Sequence, residues 1–201
     1  YICSNADIAR QNINRINLLE EDPPQVKRLT LLPTTIGDIK DRRLNFVSFT
    51  PGTSFGVNYR TGTVEERALI YWALREGWGF GDSSGPKNLL QCNAGRTGWR
   101  ERLKWYDVDL IDPDLAQSHI KALRRRRSIR AQFDELSDRF RYARRNVPSE
   151  DAEARLEMVG RLRSVLADTC AKSLEPDIVI LDEFQRFKDL LDGEDDAALL
   201  A

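Results

Sequence analysis

Apolar positions along this chain follow two different periods, and the change of period divides it. From about Ala6 to Leu19, Ile8, Ile13, Ile16 and Leu18 or Leu19 recur at helical spacing, with Ser4 or Asn5 placed to cap the helix. Tyr1-Ile2-Cys3-Ser4 reads as a short strand before it, and Leu29 to Leu32 as another. Thr34 to Arg43 is turn-like. Leu44-Asn45-Phe46-Val47-Ser48-Phe49 alternates and is aromatic and β-branched, which predicts a strand. The helical period then takes over. Val64 to Glu76 predicts a helix that can bury Leu69, Ile70, Trp72 and Ala73, and a glycine-rich break follows from Gly77 to Gly85. Leu89–Cys92 and Trp99–Tyr106 read as short helices. Asp112-Pro113-Asp114 supplies an N-cap with proline at the first helical position, opening a helix that can run to Arg145. Val147-Pro148-Ser149 ends it, and a further helix reaches about Ser173. Two long helices with a short connection predict an antiparallel hairpin.

The last part of the chain returns to a strand-like pattern. Ile178, Val179, Ile180 and Leu181 form an unbroken run of branched apolar residues, which predicts a strand buried on both faces of a parallel sheet. Asp182 and Glu183 follow where that strand would end, and in open α/β sheets ligands sit beyond the carboxyl ends of the strands. The acid pair is therefore placed to handle a metal or a phosphate. The alternative is that it opens a solvated loop or caps a helix over Phe184–Leu191. The expected fold class is α/β, a parallel sheet carrying a large, mainly helical insertion. Residues 1–63 and 176–201 would belong to the sheet domain, and residues 64–175 to the insertion with its hairpin.

Asp182-Glu183-Phe184-Gln185 resembles motif II of superfamily 2 helicases and translocases, the DExx box. Two further segments fit the same family in the same order. Cys3-Ser4-Asn5-Ala6-Asp7-Ile8-Ala9-Arg10-Gln11-Asn12 resembles motif Ia, and Thr50-Pro51-Gly52-Thr53 resembles motif Ib. By themselves the first could be an ordinary capped helix and the second an ordinary turn. The resemblance implies a partial RecA-like P-loop NTPase domain and the cofactors ATP and Mg²⁺. It implies that Asp182 holds Mg²⁺ through water, that Glu183 orients and deprotonates the attacking water, and that Gln185 couples the nucleotide to a later motif. Ser4, Asn5, Gln11, Thr50, Pro51, Gly52 and Thr53 would touch the nucleic-acid backbone. Such residue types suit phosphoryl transfer, which is mostly positioning plus charge neutralisation.

Charge adds a local feature to this picture. The 201 residues carry a net charge of −1, so any nucleic-acid surface has to be local. Lys121, Arg124, Arg125, Arg126, Arg127 and Arg130 supply one, continued by Arg139, Arg141, Arg144 and Arg145. The alternative is a solvated helix face paired with Asp134, Glu135 and Asp138. The four tryptophans, Trp72, Trp78, Trp99 and Trp105, are expected in the core rather than as stacking platforms. Three widely spaced cysteines and a single histidine, His119, offer no zinc spacing and suit a reduced, cytoplasmic interior. No apolar run approaches the roughly 20 residues of a membrane span.

Gly81-Asp82-Ser83-Ser84-Gly85-Pro86-Lys87-Asn88 does not make a phosphate loop. Pro86 separates Gly85 from Lys87, no hydroxyl follows the lysine and no strand precedes it. The chain does not begin with Met and is expected to be a piece of a longer protein whose phosphate loop lies before Tyr1 and whose second motor domain lies beyond Ala201. The expected function is thus a segment of an ATP-dependent helicase or translocase acting on nucleic acid, DNA in preference to RNA, with the isolated chain inactive as an ATP hydrolase. Two rivals stand beside it: a helical nucleic-acid or protein interaction module without ATPase activity, and another class of P-loop motor.

Overall fold

A 26-residue helix, Ser149–Leu174, forms the spine of the protein. In the computed structural model, which describes residues 6–16, 26, 28–40, 45, 47, 61–142, 146–174 and 177–180, the helices in chain order are α1 (Ala6–Ile16), α2 (Ile36–Lys40), α3 (Val64–Trp78), α4 (Ser84–Gln91), α5 (Arg96–Lys104), α6 (Pro113–Arg125), α7 (Arg127–Arg139) and α8 (Ser149–Leu174). Short 3-10 helices occupy Leu29–Thr34 and Val108–Leu110. α8 packs against α3, α4, α6, α7 and the first 3-10 helix. It buries Met158, Val159, Leu162, Val165, Leu166 and Cys170, positions that spread around the helix as expected for one covered on several sides. Burial of each such side chain stabilises the fold by about 1.5–3 kcal/mol.

Local signals explain where α3 begins and ends. Thr63 and Glu66 form a capping box: Thr63 Oγ1 accepts from the Glu66 N–H, and the Thr63 N–H donates to Glu66 Oε2. Gly79 ends the helix in the left-handed region at φ 66° and donates to the Arg75 carbonyl at 3.0 Å. Glu66 reaches beyond its own helix. Fully buried, it accepts from Thr30 Oγ1 at 2.5 Å and from Arg163 Nη2 at 2.9 Å. Arg67, next to it, is also buried and donates to the carbonyls of Thr61, Gly62 and Gln91. A polar knot therefore ties α3 to α8, to the first 3-10 helix and to the end of α4.

The helix expected from Pro113 to Arg145 is two helices. Arg126, at φ −98° and ψ 70°, closes α6 and opens α7. No glycine or proline marks the break, and packing supplies the reason. Leu123 and Ile129 are both buried, yet six positions along a straight helix would point them about 120° apart. The bend lets α6 lie on α3 and α8 while α7 lies on α4 and α8.

The expected α/β class is not met: the described residues contain helices and no strand. Leu29 to Leu32, expected as a strand, lies in a 3-10 helix held by Leu31 N–H to Arg28 O and Thr35 N–H to Leu32 O, both 2.9 Å. A four-residue apolar run fits either conformation, and here the buried side chains of Leu29 and Leu32 face helices rather than neighbouring strands. Ile178, Val179 and Ile180, expected deep inside a parallel sheet, have no regular secondary structure and are 77%, 42% and 41% exposed. The core is assembled without them. Asn45 and Val47 belong to no helix or strand, and Tyr1–Ser4, Phe46 and Leu181 lie outside the described residues. In α1, Ile13 is buried while Ile8 and Ile16 are exposed, so its expected apolar face is only partly used.

Candidate nucleic-acid interface

Five cations gather where α6 meets α7: Lys121, Arg124 and Arg125 from the end of α6, Arg126 at the bend, and Arg127 at the start of α7. All five are exposed. The bend gives this corner its shape, because it exposes the end of one helix and the start of the next together. Arg124 Nη2 donates to the Gly77 carbonyl at 3.3 Å, and Arg126 pairs with Asp168 at 3.3 Å. Lys121, Arg125 and Arg127 have no carboxylate partner among the described residues. They are the free charges of the corner.

Farther along α7 the basic side chains are paired. Arg130 meets Asp134 at 2.8 Å and covers the Trp78 ring at 4.7 Å. Arg139 meets Glu135 at 2.5 Å and Asp151 at 3.4 Å, and Arg141 meets Asp138 at 3.1 Å. The Glu135 carboxylate holds the Arg139 guanidinium above its ordinary value. The basic stretch thus divides into an unneutralised corner and a paired face. At the corner, the negative end of the α6 dipole meets the positive end of the α7 dipole, and the two largely offset each other. The attraction left for a polyanion comes from the side chains, and it is screened beyond about 10 Å at 0.1 M salt.

Gln11 lies on the exposed side of α1. The other residues assigned by the helicase resemblance, Ser4, Asn5, Thr50, Pro51, Gly52, Thr53, Asp182, Glu183 and Gln185, lie outside the described residues. The basic corner is therefore the one part of the predicted site whose residues the structure brings together. Among the described residues, no three His, Cys, Asp or Glu side chains form a set that could hold a metal ion. The Gly81–Asn88 segment leads into α4, and its Lys87 is bound to Asp82. No helix among the described residues is long and apolar enough to cross a membrane.

The remaining candidates are packing groups. His119 is buried, with Nε2 3.3 Å from the Leu162 carbonyl, and burial pushes its pKa down to about 4. Cys170 is buried and Cys92 half-buried. Burial raises both thiols, so neither is primed as a nucleophile. The tryptophans expected in the core divide. Trp99 is buried and anchored by Nε1 to the Lys87 carbonyl at 2.8 Å, Trp72 and Trp78 are half-buried, and Trp105 is 77% exposed. The sequence pattern does not single out two pairings of aromatic and cationic side chains: Trp72 with Arg75 at 4.7 Å on α3, and Lys104 over Trp105 at 4.9 Å at the end of α5. Their one- and three-residue spacings were the available signal. Comparison with protein-family models, with curated proteins and with solved structures gives no match for this chain.

Proposed function

We propose that the chain serves an ATP-dependent nucleic-acid helicase or translocase and that its helical body offers the α6–α7 corner to the nucleic acid. The observation that carries the nucleic-acid half is the trio Lys121, Arg125 and Arg127, exposed together and without carboxylate partners among the described residues. Unpaired cations on this corner can neutralise phosphates and release their counterions, which is the main source of sequence-independent affinity. The ATP half rests on sequence alone: the acid pair Asp182-Glu183 with Gln185, preceded in order by the motif-like segments at Ser4-Asn5 and Thr50-Pro51-Gly52. In this reading Asp182 holds Mg²⁺, Glu183 activates water, and the helical body is an accessory surface.

The test is nucleic-acid-stimulated ATP turnover. Glu183→Gln is expected to abolish hydrolysis while nucleotide binding persists; retained turnover removes Glu183 as the base. A second reading is favoured by the wholly helical character of the described body: an interaction module without ATPase activity. It predicts that charge reversal at Arg124 to Arg127 ablates function while Asp182→Ala does not.

A further inference from the structure

A cavity of about 390 Å³ opens between α3, α4 and α5, within the size range of small-molecule sites. Its inner wall is aromatic. Tyr71 is fully buried, and its hydroxyl has no hydrogen-bond partner; Trp72 Nε1 is likewise buried and unpartnered. Tyr71 and Trp72 both line the cavity, and their rings meet edge-on with centroids 5.4 Å apart. Burial raises the phenol's pKa, so it remains a donor at neutral pH. Two orphaned donors in one wall are costly unless something accepts from them.

The rim is cationic. Lys87 is neutralised by Asp82. Arg75, Arg100 and Lys104 line the same cavity and have no carboxylate partner among the described residues. The Arg75 guanidinium carbon lies over the Trp72 ring, 4.7 Å from its centroid. Aromatic and guanidinium planes are the surfaces on which nucleobases stack. Cations at the mouth suit phosphate.

We propose that this cavity binds a nucleotide unit, with the base against Trp72 and Arg75, its acceptors taken by Tyr71 and Trp72 Nε1, and the phosphate held by Arg100 and Lys104. The shared chemistry is an aromatic base bearing a phosphate, whether free or as one unit of a single strand. The site is separate from the α6–α7 corner and does not depend on ATP turnover. The corner is tested by strand affinity at Arg125 and Arg127, and the cavity by the nucleotide unit at Tyr71, Arg100 and Lys104, so either can fail alone.

The experiment titrates the 201-residue chain with AMP, adenosine, inorganic phosphate and a twelve-residue oligothymidylate, read by tryptophan fluorescence and calorimetry. Tyr71→Phe removes only a hydroxyl. Arg100→Ala with Lys104→Ala changes only exposed positions. Circular dichroism checks that each variant folds. AMP is expected to bind about tenfold more tightly than adenosine or phosphate. The double variant should weaken AMP binding about tenfold, and Tyr71→Phe severalfold. If the oligothymidylate binds with the same sensitivity to these substitutions and AMP does not, the unit is read from a strand; if AMP binds, a free nucleotide suffices. Phosphate binding as tightly as AMP, no binding by AMP or oligothymidylate, or folded variants that bind as the parent does would each overturn the assignment.

Discussion

Arg163 donates to Glu66 across 2.9 Å although 97 positions separate them in the chain, and both side chains are almost wholly buried. The carboxylate also accepts from Thr30 and from the Thr63 N–H, with Arg28 3.8 Å away. This contact closes the helical body, because it joins the first turn of α3 to the middle of α8.

Arg163→Met should therefore destabilise the chain by about 3–5 kcal/mol, because it leaves a buried carboxylate without its main countercharge. Burial pushes the Glu66 pKa up, but the Thr30 hydroxyl, the Thr63 N–H and Arg163 outweigh it and hold it below the ordinary 4.5. The stabilising contribution of Glu66 is thus complete above about pH 4.5 and is lost as pH falls through the lower folded value. Urea unfolding at neutral pH compares the variant with the parent; a loss under 1 kcal/mol would show that the pair is not the closure.

His119 gives a second pH dependence in a different window. Its folded pKa is about 4 against an ordinary 6.5, so between these values the unfolded chain takes up a proton that the folded chain refuses. Stability should fall as pH drops from about 6.5 towards 4, by about 3 kcal/mol in all, and this contribution should be flat below. His119→Gln should remove that slope, leaving the Glu66 component at lower pH. Unfolding free energies at half-unit pH steps check the difference.

Gly85 tests the seat of α4 on α7. A Cβ there would lie 2.2 Å from the Ser137 carbonyl oxygen, and backbone on both sides leaves no flexible group to yield. Gly85→Ala should cost more than the roughly 0.5–1 kcal/mol that alanine normally gains inside a helix, for a net destabilisation of about 1–3 kcal/mol. Gly98, on α5, has nothing within 4 Å of the same atom. Gly98→Ala should leave stability unchanged or raised, and thermal unfolding of the two variants side by side reads the contrast.

Local signals in the sequence mark the helical part of this fold well. Asp112 caps α6 by accepting from the Leu115 N–H, as its position before Pro113 predicts, and α8 opens at Ser149, at the predicted Val147-Pro148-Ser149 break. Two things escaped. The bend at Arg126 has no local cause; it follows from the need to bury Leu123 and Ile129 against different neighbours. The run from Ile178 reads as a sheet strand because a short apolar run looks the same whether or not strands exist to cover it. At the basic stretch, helical spacing already offers Glu135 to Arg139 and Asp138 to Arg141; the fold adds Asp151 to Arg139 and leaves Arg125 and Arg127 without a carboxylate partner among the described residues.

That contrast sets the last prediction. If the α6–α7 corner contacts nucleic acid, Arg125→Glu with Arg127→Glu should weaken binding of a single strand by at least roughly tenfold at low salt. It should also flatten the dependence of log affinity on log salt by about 1.4, the value for two phosphate contacts on a single strand. Arg139→Glu with Arg141→Glu changes the net charge equally, yet those arginines already face Glu135, Asp151 and Asp138. Their reversal should cost clearly less affinity and leave the salt slope nearly intact. Fluorescence anisotropy at four or five salt concentrations measures both quantities. Equal losses from the two double variants would mean that only net charge matters, and the corner would then have no special claim on the nucleic acid.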